Sequence, residues 1–263
     1  SGLSGADQHL DDRLRLVARE LRELDPDIVA LQESSITRGR NAAARLAAEL
    51  NLHWAHASAT RRVSRIGLLD DLLVWAIGFE EGSAILSRWP IVATEIVDLP
   101  RCEKFWEPRI ALRATVATSR GPLEVFSTHL GRDACHARRI AEVVRAHPGP
   151  LPALVMGDFN ASESTEEIRS LIREANLVDA FRAANPAASG ATVWQRPGAP
   201  DPTVTRRVDF IFLRPGDGGP TPVRASRVVL ATPGRLANGT TLWPSDHYGV
   251  VADIAIDGLE ARR

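Results

Sequence analysis

The chain reads as an α/β protein: a sandwich of two packed mixed β-sheets flanked by helices. Three observations predict this. Apolar runs of strand length outnumber the helical stripes, neighbouring runs are joined by short turns as often as by helices, and no linker, repeat or low-complexity tract divides the 263 residues. A purely doubly wound parallel sheet would need a long crossover between successive strands, and many of these connections are too short. One domain over residues 1–263 is the expectation.

The elements follow in order. Leu10, Leu14, Val17, Leu21 and Leu24 recur at spacings of three and four, which makes one apolar face of a helix. Asp25-Pro26-Asp27 stops it, because proline disfavours helical geometry in the residue before it. "IVAL" (28–31) is a short buried strand that ends in Gln32-Glu33, and residues 39–50, rich in Ala, Leu and Arg, form a second helix. Strands are predicted at 83–87, 91–97, 109–117 and 122–130, then helices at 134–146 and 164–175 on either side of the apolar strand "PALVM" (152–156). Residues 185–205, with Pro186, Pro197, Pro200 and Pro202, are loop. The strands 207–213, 223–230 and 248–256 complete the pattern.

With 44% hydrophobic and 25% charged residues the composition is that of a globular protein, and the net charge of -1 gives no global pull toward nucleic acid or anionic membrane. Lys104 is the only lysine among the cations. Cys102 and Cys135 can pair or stay free. No stretch is apolar enough to span a bilayer, and no signal-type segment opens the chain.

The polar residues where apolar strands stop carry the chemistry. Glu33 follows "IVAL", His129 follows "LEVFST", and Asp158 and Asn160 follow "ALVM". Asp209 lies early in "RVDFIFL", and Asp246-His247 immediately precedes "YGVVADI". Each alone reads as an ordinary surface or turn residue. Together they gather at one edge of a sheet, around one cleft. Carboxylates without clustered cysteines or histidines suit a hard ion such as Mg²⁺ or Mn²⁺ rather than structural zinc. A histidine beside an aspartate is held in one tautomer as an acid or base, and an amide and an arginine can hydrogen-bond phosphoryl oxygens.

The ordered set "LQE" (31–33), "STHL" (127–130), "GDFN" (157–160), "VDFIF" (208–212) and "SDHYGV" (245–250) resembles the endonuclease/exonuclease/phosphatase superfamily over essentially the whole chain. That superfamily includes abasic-site endonucleases, deoxyribonucleases, inositol-polyphosphate phosphatases and neutral sphingomyelinases. The resemblance implies that Glu33 is the main carboxylate ligand of the cation, with Asp246 adding a direct or water-mediated contact. It implies that Asp158 orients or deprotonates the attacking water and that Asn160 holds a phosphate oxygen. His247 would act as general base or contact the phosphate, with Asp209 fixing its imidazole. His129 would stabilise the transition state or protonate the leaving oxygen, and Arg109 would face the phosphate.

One departure stands out. Relatives usually begin with a strand whose asparagine helps hold the metal, and Ser1-Gly2-Leu3 resembles the loop that follows it. Residues upstream of Ser1 are therefore expected to complete the sheet, since a missing central strand leaves backbone groups unpaired.

The substrate is less legible. "RIGLLDDLLVWAIGFEEG" (65–82) is either a buried helix or strand, or a peripheral membrane contact through residues 68–79 that exposes Leu72, Leu73, Trp75 and Phe79 to lipid. Phe105 and Trp106 can stack on a base, pack on a lipid or fill a core. Duplex DNA would want a basic face, for which Arg61, Arg62 and Arg65, and Arg138-Arg139, are the candidates. The reading is a divalent-metal-dependent phosphodiesterase acting on a lipid headgroup such as sphingomyelin or on a small phosphodiester. A DNA nuclease is the alternative, and a catalytically inactive binding module on the same fold is a third.

Overall fold

The computed structural model describes residues 9–64, 67–102, 108–131 and 134–256. Among the expected features, the Ser1-Gly2-Leu3 loop, Arg65, Phe105, Trp106 and the side chain of Leu73 lie outside the described residues.

The amphipathic stripe at the start becomes α1 (Leu10–Leu24), which buries Leu14, Ala18 and Leu21. It is followed by β1 (Ile28–Thr37), the two-residue β2 (Arg40–Asn41) and α2 (Ala42–Leu50). Helix α2 starts three residues later than its composition suggests, because the Asn41 side chain caps it by accepting the Ala44 N–H at 3.1 Å. Next come β3 (His53–Ser58), α3 (Gly67–Ile77), β4 (Phe79–Ser87), β5 (Ile91–Asp98), β6 (Ile110–Thr118) and β7 (Gly121–His129). The remaining elements are α4 (Ala134–Ala146), β8 (Ala153–Asp158), α5 (Glu166–Ala175), β9 (Val178–Asp179), α6 (Ala180–Ala184), β10 (Asp209–Arg214), β11 (Val223–Val229), β12 (Gly234–Arg235), β13 (Thr241–Leu242) and β14 (Gly249–Ile254).

The expected sandwich is present. One sheet has the order β2-β1-β4-β3 and the other β5-β6-β7-β8-β10-β9. Only the second is mixed: β7 and β8 run parallel, and every other pairing of named strands is antiparallel. Two further pairs, β11-β14 and β12-β13, stand apart from both sheets.

Apolar side chains fill three interfaces. Between the sheets, Ile85 meets Leu112, Val125 and Leu154. On the outer face of the six-stranded sheet, Phe126, Val155 and Phe212 meet Ile140 and Val144 of α4 and Ile168 and Leu171 of α5. Leu14, Ala18, Leu46 and Ala47 of α1 and α2 cover Ala84 and Leu86 on the other sheet. This order of helix, sheet, sheet, helix is what alternating apolar faces require of strands buried on both sides. Cys102 and Cys135 form a disulfide that joins the segment after β5 to the first turn of α4. The buried His136 ties the same two segments, bonding the Pro100 carbonyl at 2.7 Å and accepting the Gly131 N–H at 3.0 Å.

Candidate active site

Strand register builds the site. The parallel β7-β8 pair sets His129 beside Asp158, and the antiparallel β8-β10 pair sets Asp158 opposite Asp209. Directly paired residues project to the same face of a sheet, so three residues separated by 29 and 51 positions form one row. The approach of β7 to β8 is close. A Cβ on Gly157 would lie 2.0 Å from the Thr128 carbonyl oxygen, so no larger residue fits before Asp158.

Past the end of β8 the buried Phe159 plugs the outer core, edge-on to Phe210 and Phe212. Asn160 then turns back with φ of 53°, a left-handed geometry that asparagine tolerates. Its N–H donates to Asp158 Oδ1 at 2.8 Å and its side-chain amide to the Leu130 carbonyl at 2.9 Å. Arg109, just before β6, places Nη1 2.6 Å from His129 Nδ1. Guanidinium can only donate, so Nδ1 accepts and the ring proton sits on Nε2, which faces Asp158 Oδ2 at 3.3 Å.

His247 arrives from the loop before β14. Its Nδ1 lies 3.0 Å from Asp209 Oδ2 and 4.0 Å from Asp158 Oδ2. Asp158, Asp209 and His247 offer ligand atoms that all lie within 4.8 Å of one another. The donors are two carboxylates and an imidazole, and the two cysteines are locked in the disulfide. That set fits a hard divalent cation and gives a soft one no thiolate.

The protonation pattern follows from burial and charge. Burial pushes the Asp158 carboxyl up, but the His129 hydrogen bond, the charge of His247 and the Asn160 N–H outweigh it, leaving Asp158 below the usual carboxylate range. Asp209 moves the other way: burial and the nearby Asp158 raise it against the pull of His247. Burial lowers His247, yet its bond to Asp209 and the charges of Asp209, Asp158 and Asp246 carry it up to about 9. Asp209 and His247 thus hold a proton between them, while Asp158 stays ionised.

Glu33 and Asp246 line the same cleft, of about 810 Å³, but stand outside the three-residue group. A β-bulge between Leu31 and Ser34 re-aims Glu33, which is exposed with φ of 49°. Gln32 fixes that end of β1 by donating to Ser127 Oγ at 3.1 Å, and Ser127 donates in turn to the Leu31 carbonyl. Asp246 is engaged by its neighbours: Trp194 Nε1 donates to Oδ2 at 3.1 Å and Ser245 to Oδ1 at 3.3 Å.

Several positioning residues carried no signal in the sequence. Fully buried Thr192 accepts the N–H groups of Val208 and Asp209, and its hydroxyl lowers Asp209 against the effect of burial. Gln195, also fully buried, takes the Tyr248 hydroxyl at 2.8 Å, and its N–H holds the Asp246 carbonyl. Val193 bridges both Arg206 and His247. A proline-rich tract with no periodicity therefore clamps the histidine loop. The only sequence clue is a cluster of apolar and amide residues, "TVWQ", inside an otherwise polar loop.

Comparison with known proteins settles the fold family. The model of the Endonuclease/Exonuclease/phosphatase family matches residues 2–247. The chain belongs to that family. Solved structures share the family fold at low identity. A mannosyl-6-phosphatase from Bacteroides thetaiotaomicron is 19% identical with a TM-score of 0.72, covering 94% of this chain and 92% of its own. D. rerio TDP2, complexed with single strand DNA product, is 18% identical with a TM-score of 0.68, covering 96% of each chain. An endonuclease/exonuclease/phosphatase family protein from Leptotrichia buccalis is 20% identical with a TM-score of 0.68, covering 95% of each. No curated protein sequence matches the chain. Family members are hydrolases acting on phosphoesters, and a phosphoesterase fold is what this chain has.

Proposed function

We propose that the chain is a divalent-cation-dependent phosphodiesterase whose substrate is a lipid headgroup or another small phosphodiester. The observation that carries this reading is the Asp158, Asp209 and His247 group at the polar end of one cleft, with His129 and Asn160 packed against Asp158. Glu33 and Asp246, beside the ionised Asp158, would hold Mg²⁺ or Mn²⁺, which supplies Lewis-acid stabilisation of the developing phosphoryl charge. Ionised Asp158 accepts a proton from, or orients, the water that attacks in line. Asn160 and Arg109 donate to phosphoryl oxygens. His247, kept protonated by Asp209, suits a hydrogen-bond donor to the phosphate better than a general base. His129 presents its Nε2 proton toward the same space, where the leaving oxygen departs.

The substrate class rests on two further observations. Helix α3 exposes an apolar face, with Trp75 82% and Leu68 73% accessible and Leu69 and Leu72 beside them, as an interfacial contact would require. Three of the arginines that duplex DNA would need are engaged: Arg61 pairs with Glu80 and Asp71, Arg62 with Asp98 and Arg139 with Glu142. The test is hydrolysis of bis-p-nitrophenyl phosphate with Mg²⁺, Mn²⁺ or EDTA. It is expected to depend on the cation and to fall by more than about 10³-fold in Asp158→Ala. A wild type silent with every cation would make the chain a binding module. A panel of sphingomyelin liposomes, abasic duplex and plasmid then separates the lipid reading from the nuclease one.

A further inference from the structure

The connection between β5 and β6, residues 99–109, is held from three sides. At its base the Leu99 N–H donates to the Arg109 carbonyl at 3.0 Å and pins the two ends together. Toward α3, the Arg101 guanidinium donates to the carbonyls of Arg62 and Val63. Toward α4, the Cys102–Cys135 disulfide and the two bonds of buried His136 join the connection to the end of β7 and the start of the helix. Arg109 closes this connection and carries its contact to His129 in the site. Leu99, Arg101, Pro108 and Arg109 also form one wall of a second cavity, of about 860 Å³.

Of these anchors only the disulfide can be opened by chemistry and closed again. Cys102 is exposed and Cys135 half-buried, so an incoming thiolate reaches the Cys102 sulfur first. Cys135 is the second residue of α4, a helix of 13 residues, whose N-terminal backbone N–H groups favour a thiolate there. A sulfur that departs as a stabilised thiolate departs fast. Exposure and a good leaving group mark a disulfide that exchanges rather than one that only braces.

We infer that the Cys102–Cys135 bridge is a redox latch: oxidised, it seats the Arg109 segment against His129, and reduced, it lets that segment slacken so that the site binds its phosphoester more weakly. The reductant is a dithiol. One of its thiolates attacks Cys102 Sγ, the S–S bond breaks and Cys135 departs as a thiolate. The second thiol then displaces Cys102 from the mixed disulfide. Two electrons have passed to the protein, the dithiol has become a cyclic disulfide, and its two protons end on the cysteines. An oxidised partner of the same class resets the latch. Because His136 keeps its two bonds after reduction, the segment loosens without detaching. The Arg109 guanidinium meets the phosphoryl group before and during reaction alike, so displacing it weakens binding more than turnover. The catalytic half of this inference rests on the phosphodiesterase reading, and the latch itself does not.

The test compares the oxidised chain with the chain reduced by dithiothreitol, with thiols counted in each. Amide hydrogen exchange at Leu99 and Gly131, whose N–H groups bond across the clamped segments, is expected to quicken about 10-fold or more on reduction, while Phe126 and Val155 in the core stay protected. KM for bis-p-nitrophenyl phosphate with Mg²⁺ is expected to rise about 5-fold or more with kcat within about 2-fold, and reoxidation to restore it. The Cys102→Ser/Cys135→Ser variant should match the reduced chain and ignore dithiothreitol; if it does not fold, the reduced wild type carries the test. In Arg109→Ala, reduction should leave KM where the substitution has put it, because the latch acts through Arg109. Equal exchange at Leu99 and Gly131 in the two redox forms overturns the inference, as does a rise in core exchange that matches theirs, which marks unfolding. So does a KM that rises as much on reduction in Arg109→Ala as in the wild type. No turnover in either form with any cation ends the hydrolase reading instead, and the amides alone then decide the latch.

Discussion

Arg207 offers the sharpest test of how the site is supported. Its side chain is 5% exposed, two residues before Asp209. It makes a two-pronged pair with Asp179 (3.0 and 2.7 Å), a further contact to Glu163, and lies 4.4 Å from the centre of the Phe210 ring. Replacing it by methionine keeps apolar volume but strands the largely covered Asp179, whose side chain is 10% exposed. Breaking a buried pair from one side costs about 3–5 kcal/mol. Two features place this case at about 3 kcal/mol. Glu163 keeps a second partner in Arg182, at 2.6 Å, and Arg207 Nε has no hydrogen-bond partner to lose. For a chain of this size that is a fall in Tm of roughly 6–12 °C.

Adding Asp179→Asn removes the stranded charge while keeping the oxygen that caps α6 by accepting the Arg182 N–H. The double variant is expected to recover at least about 1 kcal/mol over Arg207→Met alone, because the penalty lies in the uncompensated carboxylate. Thermal and urea unfolding of the wild type, the two single variants and the double variant measure it. A double variant as unstable as the sum of the two single changes would refute the reasoning, and would show that packing rather than charge sets the cost.

Three other outcomes follow from the geometry. Gly157→Ala forces β7 and β8 apart at the row itself; it should destabilise the fold by several kcal/mol and lose hydrolysis, as unfolding and turnover measurements will report. Burial raises the Glu163 carboxyl, but its bonds to Arg182 and Arg207 outweigh it, so it lies below the ordinary value of 4.5. Its stabilisation is complete above that value and is lost as pH falls through the lowered one. Arg207→Met shrinks the effect, and an acid titration should show its stability deficit narrowing below about pH 4.5. Reducing the Cys102–Cys135 bridge, which spans 33 positions, should cost about 3–4 kcal/mol by the chain-entropy relation and lower Tm in dithiothreitol. An unchanged Tm on confirmed reduction would assign the clamp to His136 instead.

Much of this architecture was legible in the residues. The spacing of Leu10, Leu14, Val17 and Leu21 marks α1, and the apolar runs mark β7, β8 and β10, because both depend on local periodicity. The acids and imidazoles at strand ends point to one cleft; register brings His129, Asp158 and Asp209 together, and His247 joins them from the loop before β14. Other features depend on partners far away in sequence. Strand β1 runs on past Glu33 through a bulge that only pairing with β4 defines. Strand β3, "HWAHAS", has no clean alternation because it is an edge strand with half-exposed residues. The apolar segment 65–82 splits into α3 and the start of β4, and α3 keeps much of its apolar surface outside the core. The support from Thr192 and Gln195 is made of side-chain-to-backbone bonds within irregular chain, for which no sequence period exists.

The pairing of His129 with Asp158 and of Asp158 with Asp209 makes the chemistry a property of ladder alignment. Inserting one residue within β7, β8 or β10 would turn every later side chain in that strand to the opposite face and dismantle the row at a stroke. Lengthening the turns between those strands leaves the alignment untouched. Such a frame is free to change what it accepts through its connections while its strands hold the reacting groups fixed.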